Sequence, residues 1–396
     1  MTDPSGPGPV SVEEHRARVR AGVAPLDRSE PLPVAKAAGR VLAADVVAAL
    51  SVPPFDHAAM DGFAVRAAEV VAPPVELPVA GVVAAGDTAP PALPAGAAYR
   101  IMTGAPVPDG ADLVIPFEWT TGTDPVRLLR SAGAGRHVRR EGEDVRAGEI
   151  ALVAGTRLGA AQVGLLTSTG VAEVAVRPRP RLGVIATGAE LVGGQIPDSN
   201  TRTLLTAGRA AGAVATGHGP APDDPAAFRA VLAAAAEVSD LIVTTGGISA
   251  GDHDVVKAAL VGEDGFWFGP VALKPGRPQG FGCVRASDGR RVPVLTLPGT
   301  PIAAYAAFLL FGREALARLG GERAAATRRA PLGVPVEAGD RTVVLPGVYD
   351  ENGHVVPLPG HAGHSQRLLA RAEVLMVVPP AGCALAAGRS IEVLAE

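Results

Sequence analysis

The spacing of apolar positions changes several times along the chain and predicts several kinds of domain. Ser11 is followed three positions later by Glu14, the capping-box pattern that begins a helix, which we expect to end near Gly22. From about residue 51 to residue 143, short β-rich runs are broken by Pro and Gly, as is typical of a mixed, mainly β module. Residues 330–396 again contain short strands at turn-rich spacing, which predicts a small β-barrel or β-sandwich.

The segment from residue 181 to residue 321 alternates continuous apolar strands with helices. RLGVIATG, AVATGHG, DLIVTTGG and VPVLTLPG read as strands, and helical patterns lie between or after them. One helix begins at Asp223 or Asp224, either of which can cap it ahead of Pro225. Apolar strands alternating with helices predict a parallel sheet covered on both faces, and ligands of such sheets bind beyond the carboxyl ends of the strands.

Composition and charge narrow the functional classes. The chain has 396 residues, 47% of them hydrophobic, and a formal net charge of −4, so we expect ordered domains and no duplex nucleic-acid partner. No apolar run is long enough to span a bilayer, and the N-terminus lacks the apolar core of a secretory signal, which predicts a cytoplasmic protein. Cys283 and Cys383 fit neither a disulfide framework nor a zinc ribbon, and we interpret both as small core residues.

Three glycine-containing loops follow strands of the α/β segment: ATGAEL, TTGGISAGDHD and TLPGTP. Glycine allows a backbone to approach a ligand closely, and helix N-termini favour anions. The second loop has neither a P-loop ending nor GxGxxG, so it predicts an anion site of another kind. Asp252, His253 and Asp254 are interpreted either as helix caps or as metal ligands, and carboxylates beside a phosphate site recruit Mg²⁺.

Six segments in order carry a family resemblance: PPFDHAAMDGFAVR, RIMTGAPVPDGAD, REGEDV, TGAELV with IPDSN, TTGGISAGDHDVVK, and VALKPGRP followed by LPGTP. Across roughly residues 11–380 the chain resembles the molybdopterin molybdenumtransferases, which include the E domain of gephyrin. The resemblance implies a doubly wound three-layer α/β domain, a mainly β inserted domain, a small linking α/β segment and a C-terminal β-barrel-like domain. The boundaries we expect are 1–26 for an N-terminal helix packed on the α/β domain, 27–50 plus 145–177 for the linking domain, 51–144 for the inserted domain, 178–325 for the α/β domain and 326–396 for the C-terminal domain.

The resemblance also implies an activity: insertion of molybdenum from molybdate into adenylylated molybdopterin, with Mg²⁺ present and AMP released. It implies a homodimer and transient contact with the molybdopterin adenylyltransferase and with acceptor molybdoenzymes. Matching motif positions give the catalytic residues Asp61, Thr103, Asp144, Glu190 and Asp254, and the metal ligands Asp223, Asp254 and Glu190. They give the ligand-binding residues Thr245, Gly246, Gly247, Ser249, Gly251, Asp252, Lys274, Arg277, Pro298, Gly299, Thr300, Ser365 and Arg367.

Several positions depart from the family pattern, and Ala303 is the most consequential. It stands where the family has a serine near the bound oxyanion, and losing a neutral hydroxyl donor costs about 0.5–1.5 kcal/mol. Ala189 similarly replaces a carboxylate. Two alternatives follow: a weakly active or non-catalytic paralogue that serves as a pterin-binding scaffold, and an insertase that prefers tungstate. The histidines His361 and His364 are interpreted as structural or surface residues, because no third metal ligand lies nearby in sequence.

Overall fold

The computed structural model describes residues 8–248, 254–263, 265–322, 327–360 and 365–395. The predicted site residues Ser249, Gly251 and Asp252, and the histidines His361 and His364, lie outside these ranges. The chain forms two compact units, Met1–Glu30 with Arg177–Glu396, and Pro31–Val176. Within the described ranges, no helix combines the length and the apolar character that crossing a membrane requires. The finer five-part division stays a prediction.

The first helix, α1 (Val12–Gly22), has the predicted capping box. The Ser11 hydroxyl accepts a hydrogen bond from the Glu14 backbone N–H, and the Glu14 carboxylate accepts one from the Ser11 N–H. Val12 and Val19 are buried in the main core of the unit that contains residues 177–396. Capping and burial of one apolar face together hold the helix in place.

Residues 31–176 are mainly β structure, which includes the region of about residues 51–143 where the sequence predicts it. Short sheets and one four-stranded sheet surround three apolar clusters. The elements are β1 (Glu30–Pro33), β2 (Val46–Val47), β3 (His57–Ala58), β4 (Gly62–Val65), β5 (Val75–Leu77), β6 (Val79–Val83), β7 (Ala98–Ile101), β8 (Leu113–Pro116), β9 (Thr120–Thr121), β10 (Val126–Leu128), β11 (Val138–Arg139), β12 (Ile150–Leu152), α2 (Ala160–Ser168) and β13 (Glu173–Val176).

Residues 177–322 form an α/β domain. Its elements are β14 (Arg181–Ala186), α3 (Ala189–Val192), α4 (Ser199–Ala210), β15 (Val214–Gly217), α5 (Pro225–Val238), β16 (Leu241–Thr245), α6 (Val255–Leu260), β17 (Trp267–Pro270), β18 (Leu273–Lys274), β19 (Pro278–Arg285), β20 (Arg291–Leu297), α7 (Pro301–Ala307) and α8 (Arg313–Leu319). A π-helical turn, Phe308–Gly312, joins α7 to α8.

Six strands make one sheet in the order β15-β14-β16-β20-β19-β17. The first four are parallel, and β19 and β17 are antiparallel additions at one edge. Alternate strand residues point to opposite faces: Val243 packs in the cluster that includes α1, α4 and α8, whereas Ile242 packs in the cluster that includes α5 and α6. Helices cover both faces, so the predicted doubly wound three-layer arrangement is confirmed.

The C-terminal elements are β21 (Arg329–Pro331), β22 (Thr342–Tyr349), β23 (Val355–Pro357), α9 (Gln366–Leu369), β24 (Val374–Val378) and β25 (Ser390–Leu394). Their sheet has the order β18-β22-β24-β25-β21, and β23 pairs with β22. The strand β18, which carries Lys274, pairs with β22 and so ties the C-terminal sheet to the α/β domain.

Two details refine or correct the sequence predictions. Asp224, not Asp223, caps α5, because its side chain accepts a hydrogen bond from the Ala227 N–H. Both cysteines are unpaired, as predicted, but the prediction of two core residues is wrong for Cys383, which is exposed, and only partly right for half-buried Cys283.

Candidate functional site

A cavity of about 600 Å³ lies beyond the carboxyl ends of β14, β16 and β20. All three glycine-containing loops contribute to its wall. Thr187, Gly188 and Glu190 come from the first loop, Thr245 to Gly247 from the second, and Gly299 and Pro301 from the third. The parallel strands end at one edge of the sheet, so loops far apart in sequence meet there.

Thr245 and Asn200 join the walls of this cavity through a partly buried hydrogen-bond network. The Thr245 hydroxyl donates to the Pro298 carbonyl over 2.9 Å and accepts from the Asn200 amide over 2.9 Å. The same amide donates to the Gly299 carbonyl over 2.7 Å. The end of β16, the start of α4 and the turn after β20 are thereby held in one arrangement.

The glycines of the second loop are required by its backbone. Gly246 and Gly247 have φ angles of +92° and +64°, which side-chain-bearing residues rarely adopt. A Cβ on Gly246 would also lie 2.8 Å from the Thr187 hydroxyl oxygen and 2.9 Å from its carbonyl oxygen. Neither position tolerates another residue without movement of the cavity wall.

Four carboxylates line the cavity: Asp198, Glu190, Asp223 and Asp254. Asp198 caps α4 by accepting from the Thr201 N–H, and Asp223 accepts from the Ala189 N–H over 2.8 Å. Asp254 occupies the N-cap position of α6, but its side chain makes no capping hydrogen bond to that helix. Across the described ranges, no group of three or more His, Cys, Asp or Glu is already arranged to hold a metal ion.

The predicted Lys274–Pro278 segment lies beside the third loop and outside the wall of the cavity. Lys274 and Arg277 are both exposed. A Cβ on Gly276 would lie 3.6 Å from the methyl group of Ala303, so this segment and the first turn of α7 are neighbours. Ala303 itself is 1% exposed, which means that the position held by serine in the family faces protein here. Thr300 is exposed at the N-cap of α7.

The C-terminal domain reaches the cavity through α9. Ser365 caps this short helix by accepting from the Leu368 N–H over 3.3 Å. The next residue, Gln366, lines the cavity and its amide donates to the Ser199 hydroxyl over 3.2 Å. Arg367 is exposed and does not line the cavity.

In the unit Pro31–Val176, the structure brings Asp61 and Thr103 together. One Asp61 carboxylate oxygen accepts from the Thr103 N–H over 2.6 Å and from its hydroxyl over 2.8 Å. These bonds hold the pKa of Asp61 below its usual value. Asp144 is exposed, and its backbone N–H donates to the Val52 carbonyl.

Sequence reasoning assigned no role to Thr187, Asn200 or Gln366, although all three line the cavity. Asn200 stands in IPDSN, a segment that was recognised as a motif, so its position in the sequence held a usable signal. Gln366 stands between the predicted residues Ser365 and Arg367, but its own place in the wall depends on how α9 packs.

Comparison with known proteins agrees with this fold. Residues 10–170 match the MoeA N-terminal region (domain I and II), and residues 183–318 match the probable molybdopterin binding domain. A structure of a molybdopterin biosynthesis MoeA protein from Pyrococcus horikoshii superposes with a TM-score of 0.83 at 26% identity, covering 98% of this chain and 100% of that chain. The fold and cavity therefore define a multidomain protein with a domain of the molybdopterin-binding type.

Curated relatives identify the family to which the chain belongs. Molybdopterin molybdenumtransferase 2 of Mycobacterium tuberculosis is 40% identical over 407 residues, covering 97% of this chain and 98% of that protein. Molybdopterin molybdenumtransferase of Haemophilus influenzae is 35% identical over 307 residues, covering 75% and 74%. The chain belongs to the molybdopterin molybdenumtransferase family, and it is a transferase of molybdenum cofactor biosynthesis.

Proposed function

We propose that this protein inserts molybdenum from molybdate into adenylylated molybdopterin and releases AMP. The observation that carries the proposal is the cavity in which glycine-rich backbone and four carboxylates face one space. Glycine-rich backbone suits phosphate groups, and carboxylates suit a metal ion shared with them. Membership of the family supports the same assignment.

In this proposal the second loop holds the phosphate-bearing end of the pterin substrate. Gly246 and Gly247 leave room for close approach, and the Thr245–Asn200 network keeps the loop in position before substrate arrives. Preorganised contacts of this kind lower the cost of aligning the bond that breaks.

Glu190, Asp223 and Asp254 suit Mg²⁺ by the chemistry of their oxygens and by their place in one cavity. Mg²⁺ needs only one or two protein carboxylates when substrate phosphates and waters supply the other ligands, so a preassembled trio is not required. When bound, Mg²⁺ would neutralise charge on the phosphate oxygens. Asp223 also fixes the Ala189 N–H and hence the first loop.

Molybdate, the second substrate, would bind near Lys274 and Arg277, beside the first turn of α7. Lys and Arg side chains and backbone N–H groups suit a tetrahedral dianion. Ser365, Arg367 and Thr300 are further candidates for this role. The proposal also assigns catalytic roles to Asp61, Thr103 and Asp144. It further includes a homodimer, a cytoplasmic location, and transient contact with the adenylyltransferase and acceptor enzymes.

The test combines adenylylated molybdopterin, Mg²⁺ and molybdate with the full chain, and measures AMP and cofactor transferable to an apo-molybdoenzyme. Glu190→Gln and Asp254→Asn remove a charge while keeping side-chain size, and each should lower kcat by at least about 100-fold. Asp288→Asn is the matched control, because Asp288 is exposed, pairs with Arg290 and does not line the cavity. A pterin-binding scaffold would bind substrate equally in all forms and release no AMP.

A further inference from the structure

A second cavity, of about 390 Å³, lies in the α/β domain with no lining residue in common with the first. Helix α5 contributes Arg229, Leu232 and Ala233, and the hairpin of β19 and β20 contributes four further residues. Leu260 at the end of α6 and Glu263 in the turn after it complete the wall. A space of this size accommodates a small metabolite.

The charge of this cavity is opposite to that of the chain. Three arginines and one glutamate line it, a formal balance of +2, whereas the chain carries −4. Arg285 and Arg291 lie directly opposite each other on the antiparallel strands β19 and β20. Like charges in this arrangement repel each other, which an anion between them would relieve.

The arginines are available to a ligand. Within the described ranges, none of Arg229, Arg285 and Arg291 lies within ion-pair distance of a carboxylate. Arg229 is anchored by a 2.8 Å hydrogen bond from its Nε to the Ala259 carbonyl. Buried Leu232 and Leu260 supply an apolar wall beside these charges.

We propose that this cavity binds a small phosphate-bearing molecule, with the phosphate held by Arg285 and Arg291 and the remainder against Leu232 and Leu260. Arginine pairs suit the charge and the geometry of phosphate oxygens. A bare oxyanion would fill little of the volume, so the organic phosphate is favoured over inorganic phosphate. The site is separate from the proposed catalytic cavity.

Cys283 provides a local reporter, since it lines the same cavity as Arg285 and Arg291. In a Cys383→Ser background it is the sole thiol of the chain. The rate of its alkylation by iodoacetamide, a neutral reagent, is measured by intact mass while AMP or inorganic phosphate is added at constant ionic strength. A bound ligand blocks access, so the rate should fall by about tenfold at ten times the dissociation constant.

Arg285→Gln should abolish this protection, with each rate normalised to that of the ligand-free protein. Arg127→Gln is the matched control, an exposed arginine in the other unit. Protection at lower concentrations of AMP than of phosphate supports the organic phosphate. Equal protection by the two would contradict the contact of an organic group with Leu232 and Leu260. Absence of saturable protection by either, or protection unchanged in Arg285→Gln, overturns the proposal. Because the reporter does not depend on turnover, this result stands apart from the test of the insertion activity.

Discussion

Adjacent threonines on β16 give a matched pair of substitutions that tests how the main cavity is held together. Both Thr244 and Thr245 are buried. Thr245 joins the Asn200–Pro298 network, whereas the Thr244 hydroxyl has no hydrogen-bond partner among the described residues. Valine has nearly the shape of threonine, so Thr245→Val and Thr244→Val each remove a hydroxyl and leave packing almost unchanged.

The structure predicts effects of opposite sign. Thr245→Val removes two hydrogen bonds and leaves the buried Pro298 carbonyl without its donor, which lowers the free energy of unfolding by about 2–4 kcal/mol. Thr244→Val removes an unsatisfied buried hydroxyl and raises the free energy of unfolding by up to about 1 kcal/mol. A difference of about 3 kcal/mol corresponds to a separation of roughly 6–12 °C in the midpoint of the thermal transition.

Thermal and urea unfolding are measured for the two variants and the wild type. AMP release by each folded protein is measured separately. Thr245→Val should also reduce kcat/KM, because the loops lose their common anchor. Asn200→Ala and the double variant complete a thermodynamic cycle, in which the coupling energy should be about 1 kcal/mol. Equal midpoints for the two valine variants, or single effects that simply add in the double variant, would refute the network.

Three further predictions follow from individual side chains. His15 is buried between Trp267 and Phe311, and burial lowers its pKa to about 3. Because the unfolded chain binds the proton below pH 6.5, this histidine lowers the free energy of unfolding by up to about 1.4 kcal/mol per pH unit between pH 6.5 and pH 3. The slope measured by urea unfolding of His15→Leu should be smaller by this contribution. A slope equal to that of the wild type would contradict this account. Thr103→Ala removes the hydroxyl that helps to keep the pKa of Asp61 low, so that pKa should rise in carboxyl ¹³C NMR titration, whereas a static value would show that the backbone N–H alone suffices. Ala303→Ser should lower the molybdate KM by about two- to tenfold if the serine hydroxyl turns towards Lys274–Pro278, and an unchanged KM would mean that the buried position never contacts molybdate.

The fold was predictable because its signals are local. Alternating apolar strands, the Ser11–Glu14 capping box and Pro225 after an acidic cap each require only neighbouring residues to be read. The meeting of the three loops was also predictable, since parallel strands place their carboxyl ends at one edge.

Other features depend on tertiary contacts that periodicity does not encode. The choice of Asp224 over Asp223 as helix cap follows from the contact between Asp223 and the Ala189 N–H, 34 residues away in sequence. Gln366 enters the wall because α9 packs against α7, and its amide reaches the Ser199 hydroxyl at the start of α4. The approach of Ala303 to Gly276 is likewise a tertiary contact between separate elements.

In the proposed function, the cavity beyond β14, β16 and β20 couples hydrolysis of the adenylate bond to insertion of molybdenum. A single-turnover experiment with adenylylated molybdopterin, Mg²⁺ and molybdate tests it most directly by measuring AMP and transferable cofactor in the same sample. We predict that the two form in equal amounts, that both require molybdate, and that both are lost in Glu190→Gln. AMP release that is independent of molybdate, or equal product yields in Glu190→Gln and the wild type, would contradict the claim.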